Sequence, residues 1–465
     1  MAAERGEFTS RLGFILAAAG SAVGLGNIWK FPFEVGNGGG AAFVVMYLLF
    51  CFLLCFPVMV AEIAIGRKTQ RNAVGAFRAL NKPRWAFIGK LGILSGFLIL
   101  SFYNVVAGWA FGYVVEMLAG NFDIGNQFGS FVSNWLKVGM YGAVFMGITA
   151  YIVSHGVQKG IERAAKFLMP SLIIIMVVLL VYSLTLEGAM TGLQFYLIPD
   201  FSKINGQVVY SALGQAFFSL SLGMGALITY GSYLNKDQNI VQSAALITFM
   251  DVGIAFLAGL MLFPLVFSQG LEPTGGAGLI FVTLPGVFEE LGPNMGMMVG
   301  SLFFLLLSFA ALTSTVSLLE VPVAYVVDEH KVPRKRAVWL VAILIFVIGI
   351  PSLLSNGASS ILSNFIQIIG LAQEGSTDYS FMTFVGWVAN DTFLPFGGMM
   401  ISIFAAYIWK KENLTKELSQ GNENYEGSYT QKYINFAISY LAPVVLSIIF
   451  VLTVLNRFFG INSIA

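Results

Sequence analysis

Apolar stretches long enough to cross a bilayer alternate along the chain with short polar connectors. Runs of roughly 20 residues, the length a spanning helix needs, fall at 12–36, 41–66, 88–119, 134–154, 167–186, 207–232, 239–268, 294–327, 337–355, 380–409 and 433–458. The pattern predicts an all-α integral membrane protein with eleven transmembrane helices. Two of the runs are interrupted near their midpoints. The first contains Gly20-Ser21-Ala22-Val23-Gly24-Leu25-Gly26-Asn27, and the sixth contains Ser221-Leu222-Gly223-Met224-Gly225-Ala226. A glycine costs about 1 kcal/mol against alanine inside a helix, so neither stretch suits a continuous span. At membrane depth, irregular backbone persists only where it is buried in protein or lines a polar cavity. Both breaks are therefore candidate parts of a binding site.

The two breaks share a small-x-Gly-x-Gly-small pattern and lie five spans apart. An odd offset inverts the topology. Spans one to five, about 11–186, and spans six to ten, about 207–409, are thus expected to form a 5+5 inverted repeat with broken helices 1 and 6, followed by an extra helix at about 433–458. Discontinuous helices in corresponding positions of two halves point to a secondary transporter with its site near the bilayer midplane. The chain, 1–465, reads as a single transmembrane domain. Stretches 187–206 and 269–293 are too polar to span and are expected outside, the second as a structured loop or lid. Residues 412–431 read as a polar cytoplasmic connector with no evident chemistry.

Charge gives the orientation. Of the 25 lysines and arginines, all but Lys30, Lys137, Lys203 and Arg457 fall on one set of alternate connectors. By the positive-inside rule the N-terminus is cytoplasmic and, after eleven spans, the C-terminus is external. Composition agrees with a polytopic membrane protein: 57% of the 465 residues are apolar and 11% charged. The net charge of +1 gives no basis for a nucleic-acid partner. Cys51 and Cys55, four apart on one apolar helix, read as buried thiols. No signal for an oligomeric state is evident.

Catalysis has little support. His155 and His330 lie apart at span ends, and no HExxH, CxxC or phosphate-binding loop occurs. The polar residues inside spans are more informative, because ionisable groups in hydrocarbon are costly and usually functional. They include Asn27, Glu62, Tyr103, Asn104, Glu116, Ser219, Ser221, Asp251, Thr313, Ser314, Glu320 and Asp391. Asp251 has no basic residue within three helical turns along its own helix, so it either takes a proton or holds a cation. Oxygens of Asn27, Ser219, Thr313 and Ser314, with carbonyls freed at the breaks, suit Na⁺ better than a transition metal. Half-helix N-termini aim amides at an anionic group such as a carboxylate. A cation and a carboxylate together suggest an amino acid carried with sodium.

These residues resemble a known family. The segments Arg11-Leu12-Gly13, Gly20 to Pro32, Asn37-Gly38-Gly39-Gly40-Ala41-Ala42-Phe43, Glu62 with Gly66-Arg67, Gly160-Ile161-Glu162-Arg163 with Pro170, Gly214 to Gly223, Lys236-Asp237 and Leu312-Thr313-Ser314 are similar to those of the neurotransmitter:sodium symporters. The resemblance covers nearly the whole chain and looks closest to eleven-span bacterial transporters of hydrophobic amino acids. It implies a LeuT-like fold, a prokaryotic-type inner or plasma membrane, no organic cofactor and two sodium sites. The first would use Ala22, Asn27, Ser219, Asp251 and the substrate carboxylate; the second would use Gly20, Val23, Ala310, Thr313 and Ser314. The substrate α-carboxylate would meet Leu25, Gly26 and Tyr103, and its amino group Ala22, Phe218 and Ser221. Ile99, Phe218, Met224, Ser314 and Leu318 would line the side-chain pocket.

The resemblance also implies gates. Arg5 and Asp328 correspond to the cytoplasmic gate pair, with Phe8 in place of the usual tryptophan, and Phe218 to the external lid. Lys30 replaces the usual external arginine, and no acid occupies the expected partner position near Gly386; Asp391 is a candidate substitute. Asp251 stands where animal members carry a neutral asparagine beside chloride. A fixed carboxylate could supply that charge, which predicts chloride-independent transport. Flexible Met224 with Ser221, Ser314 and other small neighbours leaves room for a large apolar or aromatic side chain, so the expected substrate is an L-amino acid of that class. A sensor of the same fold that binds but does not cycle is the alternative reading; a channel or membrane-embedded enzyme has less in its favour.

Overall fold

The computed structural model describes residues 6–268, 270, 278–372 and 378–461. Each apolar run is helical, and the described residues contain no strand. The helices are α1 (Arg11–Ala22 and Gly26–Asn37), α2 (Ala41–Thr69), α3 (Pro83–Leu118), α4 (Trp135–Ser154), α5 (Val157–Ser183), α6 (Gly206–Ser219 and Ala226–Gly231), α7 (Ile240–Phe267), α8 (Pro293–His330), α9 (Arg334–Leu354), α10 (Phe381–Ile408) and α11 (Tyr429–Phe459). Nine are continuous helices long and apolar enough to cross a membrane, and the bent halves of α1 make a tenth. The eleventh expected run, α6, falls short of that length because six residues separate its 14-residue and 6-residue halves.

Local chemistry sets these boundaries. Ser10 is extended, and its hydroxyl accepts from the Gly13 amide at 3.0 Å, capping the start of α1; such a cap contributes about 1 kcal/mol. The first half of α1 stops where Val23 turns extended, and the second half leaves at 52°. A Cβ on Gly24 would overlap Ser314 Oγ, and one on Gly26 would stand 2.9 Å from the Phe218 ring. These two glycines are there for close approach. In α6 the break is conformational, since Ser221, Gly223 and Gly225 all have positive φ (54°, 81° and 74°). A non-glycine residue there costs roughly 1–2 kcal/mol. At Ser221 the cost is offset by a hydroxyl that donates to the Ser21 carbonyl at 2.9 Å.

Burial separates core from periphery. The apolar window of α8 is 83% buried and packs against α1, α3 and α5, whereas those of α5 and α11 are 33% buried and turn most of their surface outward. The second half of α6 packs on α2. The α1 break faces Tyr103 of α3, Asp251 of α7 and Ser314 of α8, and the α6 break faces Glu62 of α2 and Leu394 of α10.

One connector differs from the sequence expectation. The stretch after α10 forms a helix, Lys411–Leu418, that buries Leu414 and Leu418. Its Glu417 accepts from Arg67 Nε at 2.7 Å, and both side chains are buried. Polar composition concealed this because the apolar residues there are few and set at helical spacing. In the stretch 269–293, Pro273, Gly275 and Gly276 lie outside the described residues. The part at 278–290 is packed inward, with Phe281 buried and the Tyr113 hydroxyl donating to its carbonyl at 2.8 Å.

Candidate functional site at the helix breaks

Four polar side chains meet beside the α1 break. The Asn27 amide nitrogen donates to Asp251 Oδ1 at 2.7 Å and to Ser219 Oγ at 3.1 Å. Ser219 Oγ donates to Asp251 Oδ2 at 2.9 Å, and the Tyr47 hydroxyl reaches the same oxygen at 3.3 Å. Asp251 is fully buried, and none of these partners is cationic. An ionised carboxylate withdrawn from water without a counter-charge costs several kcal/mol. The arrangement therefore calls for a positive charge at Asp251, either a proton or a bound cation. The Asn27 oxygen accepts from the Gly24 amide at 3.0 Å, which leaves it a second lone pair. Tyr47, two turns ahead of Cys55 on an apolar helix, carries no distinguishing signal in the sequence.

A second cluster of oxygens joins α1 to α8. Thr313 Oγ1 lies 3.1 Å from the Val23 carbonyl and 2.9 Å from that of Ala310, and Ser314 Oγ lies 3.2 Å from Val23. Gly20 permits this approach, because a Cβ there would stand 3.2 Å from Thr313 Cβ. The last carbonyls of a helix have no intrahelical partner and carry the negative end of its dipole. The end of the first half of α1 therefore presents cation-seeking oxygens. Among the described residues no three His, Cys, Asp or Glu side chains converge as metal ligands. Neutral oxygens with one carboxylate match a hard monovalent ion.

Between the breaks lies a small cavity of about 30 Å³, well below the roughly 300–1,000 Å³ of an open ligand pocket. Ala22, Gly26, Ile99, Tyr103, Phe218, Ser221, Met224, Ser314 and Leu318 all line it. Leu25 does not; its amide donates to the Tyr103 hydroxyl at 2.9 Å beside the cavity. Ser21, Gly24, Ser219 and Leu394 complete the wall. Leu394 comes from α10, and no motif in the sequence marks it. Glu62 sits behind the α6 break, where its buried Oε1 accepts from the Gly223 amide at 2.8 Å.

The residues expected at the two gates lie in separate clusters. In one, Lys30 Nζ stands 4.7 Å from the centre of the ring of Phe218, which lines the cavity. Asp391, the candidate partner for Lys30, instead pairs with Arg457 of α11 at 3.0 Å. In the other cluster, Phe8 is buried edge-on against Tyr230 and Phe14. Arg5 lies outside the described residues. Asp328 accepts from the Asn72 backbone and side-chain nitrogens, each at 3.2 Å. Nearby, fully buried Glu320 accepts from the Tyr233 hydroxyl at 2.6 Å and pairs with Arg334.

Comparison with known proteins assigns this architecture. The sequence profile described as the Sodium:neurotransmitter symporter family matches residues 5–127 and 132–459. The chain belongs to this family. The symporter is 38% identical over 453 residues to the sodium-dependent transporter YhdH of Bacillus subtilis, covering 96% of each chain. It is 26% identical over 510 residues to the human sodium- and chloride-dependent GABA transporter 2, covering 97% of this chain and 80% of that one. A crystal structure of MhsT in complex with L-phenylalanine superposes with a TM-score of 0.87 at 43% identity, covering 96% of this chain and 99% of that one. The family consists of sodium-dependent membrane transporters, not enzymes, and sodium use by this multi-pass symporter follows from membership.

Proposed function

We propose that the protein imports large apolar or aromatic L-amino acids together with sodium, by alternating access and without chloride. The observation that carries this reading is fully buried Asp251, held only by amide and hydroxyl groups beside the carbonyl end of a broken helix. One sodium ion would be held by Ala22, Asn27, Ser219 and Asp251, and a second by Gly20, Val23, Ala310, Thr313 and Ser314. The substrate carboxylate would displace the Tyr103 hydroxyl from the Leu25 amide, meet Gly26 and complete the first sodium site. The amino group would face Ala22, Phe218 and Ser221. Ile99, Met224 and Leu318 supply an apolar wall for the side chain, and the wall contains no acid that could hold a substrate lacking a carboxylate. That MhsT was crystallised with L-phenylalanine agrees with this side-chain class.

In this scheme Lys30 and Phe218 close the external face, and Asp328 with Arg5 the cytoplasmic face. The two halves, about 11–186 and 207–409, are related as inverted repeats, with the N-terminus cytoplasmic and the C-terminus external. The test is uptake of labelled L-phenylalanine into proteoliposomes under an inward sodium gradient. Uptake should vanish when potassium replaces sodium, be inhibited by leucine and tryptophan but not by lysine or aspartate, and persist when gluconate replaces chloride. Equal uptake in potassium would refute sodium coupling, and loss of uptake in gluconate would refute chloride independence.

A further inference from the structure

Leu394 is the one cavity-lining residue that α10 contributes; the others come from α1, α3, α6 and α8. It is 1% exposed and follows a wide helical turn at Trp387–Phe393, where the α10 backbone is locally rewound. Turns of this kind re-aim the residues that follow them and are frequent at functional sites. What fixes Leu394 in place is backbone packed on backbone. A Cβ on Gly223, in the α6 break, would overlap the Leu394 carbonyl oxygen and stand 3.0 Å from the Gly398 amide. A Cβ on Gly397 would in turn overlap the Gly223 carbonyl, and one on Gly398 would stand 2.6 Å from the Phe217 ring. Three glycines thus clamp α10 directly onto the broken segment of α6, whose amide is tied in turn to Glu62.

We infer that Leu394 sets the size of substrate side chain the cavity admits, as a specificity-determining residue supplied from α10. This rests on the amino-acid reading above. A residue whose backbone is clamped cannot retreat when its side chain is enlarged, and its neighbours cannot easily collapse when it is cut back. A change of volume at position 394 therefore passes almost undiminished into the cavity. The carboxylate and amino contacts lie on α1, α3 and α6, so they are left intact. Leu394 acts on the side chain of the substrate and not on its head group.

The test is equilibrium binding of labelled L-leucine to purified protein in saturating sodium, competed with unlabelled alanine, leucine and tryptophan. One methylene in an apolar pocket is worth roughly 10–200-fold in discrimination. Leu394→Ala should therefore shift the tryptophan-to-leucine affinity ratio by at least about tenfold toward tryptophan. Leu394→Phe should shift it by a similar factor toward the smaller amino acids. Leu394→Val gives a smaller shift toward tryptophan and serves where the larger changes prevent folding. The sodium concentration for half-saturation, measured without substrate, should stay at the native value in each variant, whereas a merely structural defect would raise it and leave the ratio alone. Ratios within about twofold of native in Leu394→Val and either larger variant, with native protein binding normally, overturn the inference and leave the proposed function standing. Native protein that binds no neutral amino acid in sodium overturns the proposed function itself.

Discussion

Replacing Asp251 by asparagine removes the charge and one of two accepting oxygens, the one that faces the Asn27 amide nitrogen. The side chains are isosteric, and the Ser219 and Tyr47 hydroxyls can donate to an amide oxygen as they do to the carboxylate. Asn27 and Ser219 both lie within 3.1 Å of Asp251 oxygens, so a cation held by them would stand within roughly 4 Å of the carboxylate charge. At that separation and an effective dielectric of about 20, the attraction is about 4 kcal/mol. At 1.36 kcal/mol per decade this is about a thousandfold in sodium affinity. The assay is sodium titration of labelled phenylalanine binding to purified protein, in chloride and in gluconate. Native protein should give the same half-saturation in both salts. Asp251→Asn should lose about two to three decades of sodium affinity in gluconate, and chloride should recover part of the loss by supplying the missing negative charge. A variant that keeps native sodium affinity in gluconate would show that the carboxylate does not serve the ion.

Two further predictions concern contacts away from the ions. The buried pair Arg67–Glu417 ties the helix Lys411–Leu418 to α2, and removing one partner of such a pair costs about 3–5 kcal/mol. Glu417→Gln should therefore lower the thermal midpoint in detergent markedly, while the double change Arg67→Met with Glu417→Leu should recover much of it; a double variant worse than Glu417→Gln would contradict this. Beside the cavity, the ammonium of Lys30 over Phe218 is worth about 0.5–2 kcal/mol. Lys30→Gln should accelerate dissociation of bound amino acid in a chase experiment, and Asp391→Asn should do so much less, because Asp391 is engaged by Arg457. Equal effects of the two would restore Asp391 as the partner of Lys30.

Much of the fold is legible in the sequence because the bilayer permits few solutions. An apolar run of spanning length must be a helix, and the runs at 41–66 and 134–154 became Ala41–Thr69 and Trp135–Ser154 with shifts of a few residues at most. The breaks were legible for the same reason, since Gly24 and Gly223 are poor choices for an uninterrupted helix. Asn27, Ser219 and Asp251 stood out as polar residues in hydrocarbon, and the fold brings them within hydrogen-bond reach of one another.

The rest of the site is set by long-range packing. Tyr47 and Leu394 look like ordinary residues of apolar helices, and only the approach of α2 to α7 and of α10 to α6 gives them a place at the site. Glu417 lies in a stretch whose composition is that of a solvated connector, and its burial depends on Arg67, 350 positions away. The pairing of Asp391 with Arg457 joins α10 to the last helix, a contact that no local pattern announces.

The central claim is that sodium and substrate share one site at the helix breaks. Reciprocal titration tests it most directly: the affinity for L-phenylalanine measured across sodium concentrations, and the affinity for sodium measured across phenylalanine concentrations. If the substrate carboxylate is itself a sodium ligand, each must raise the affinity for the other, and by the same factor. Phenylalanine affinity that does not change between sodium-free and sodium-saturated protein would contradict the account.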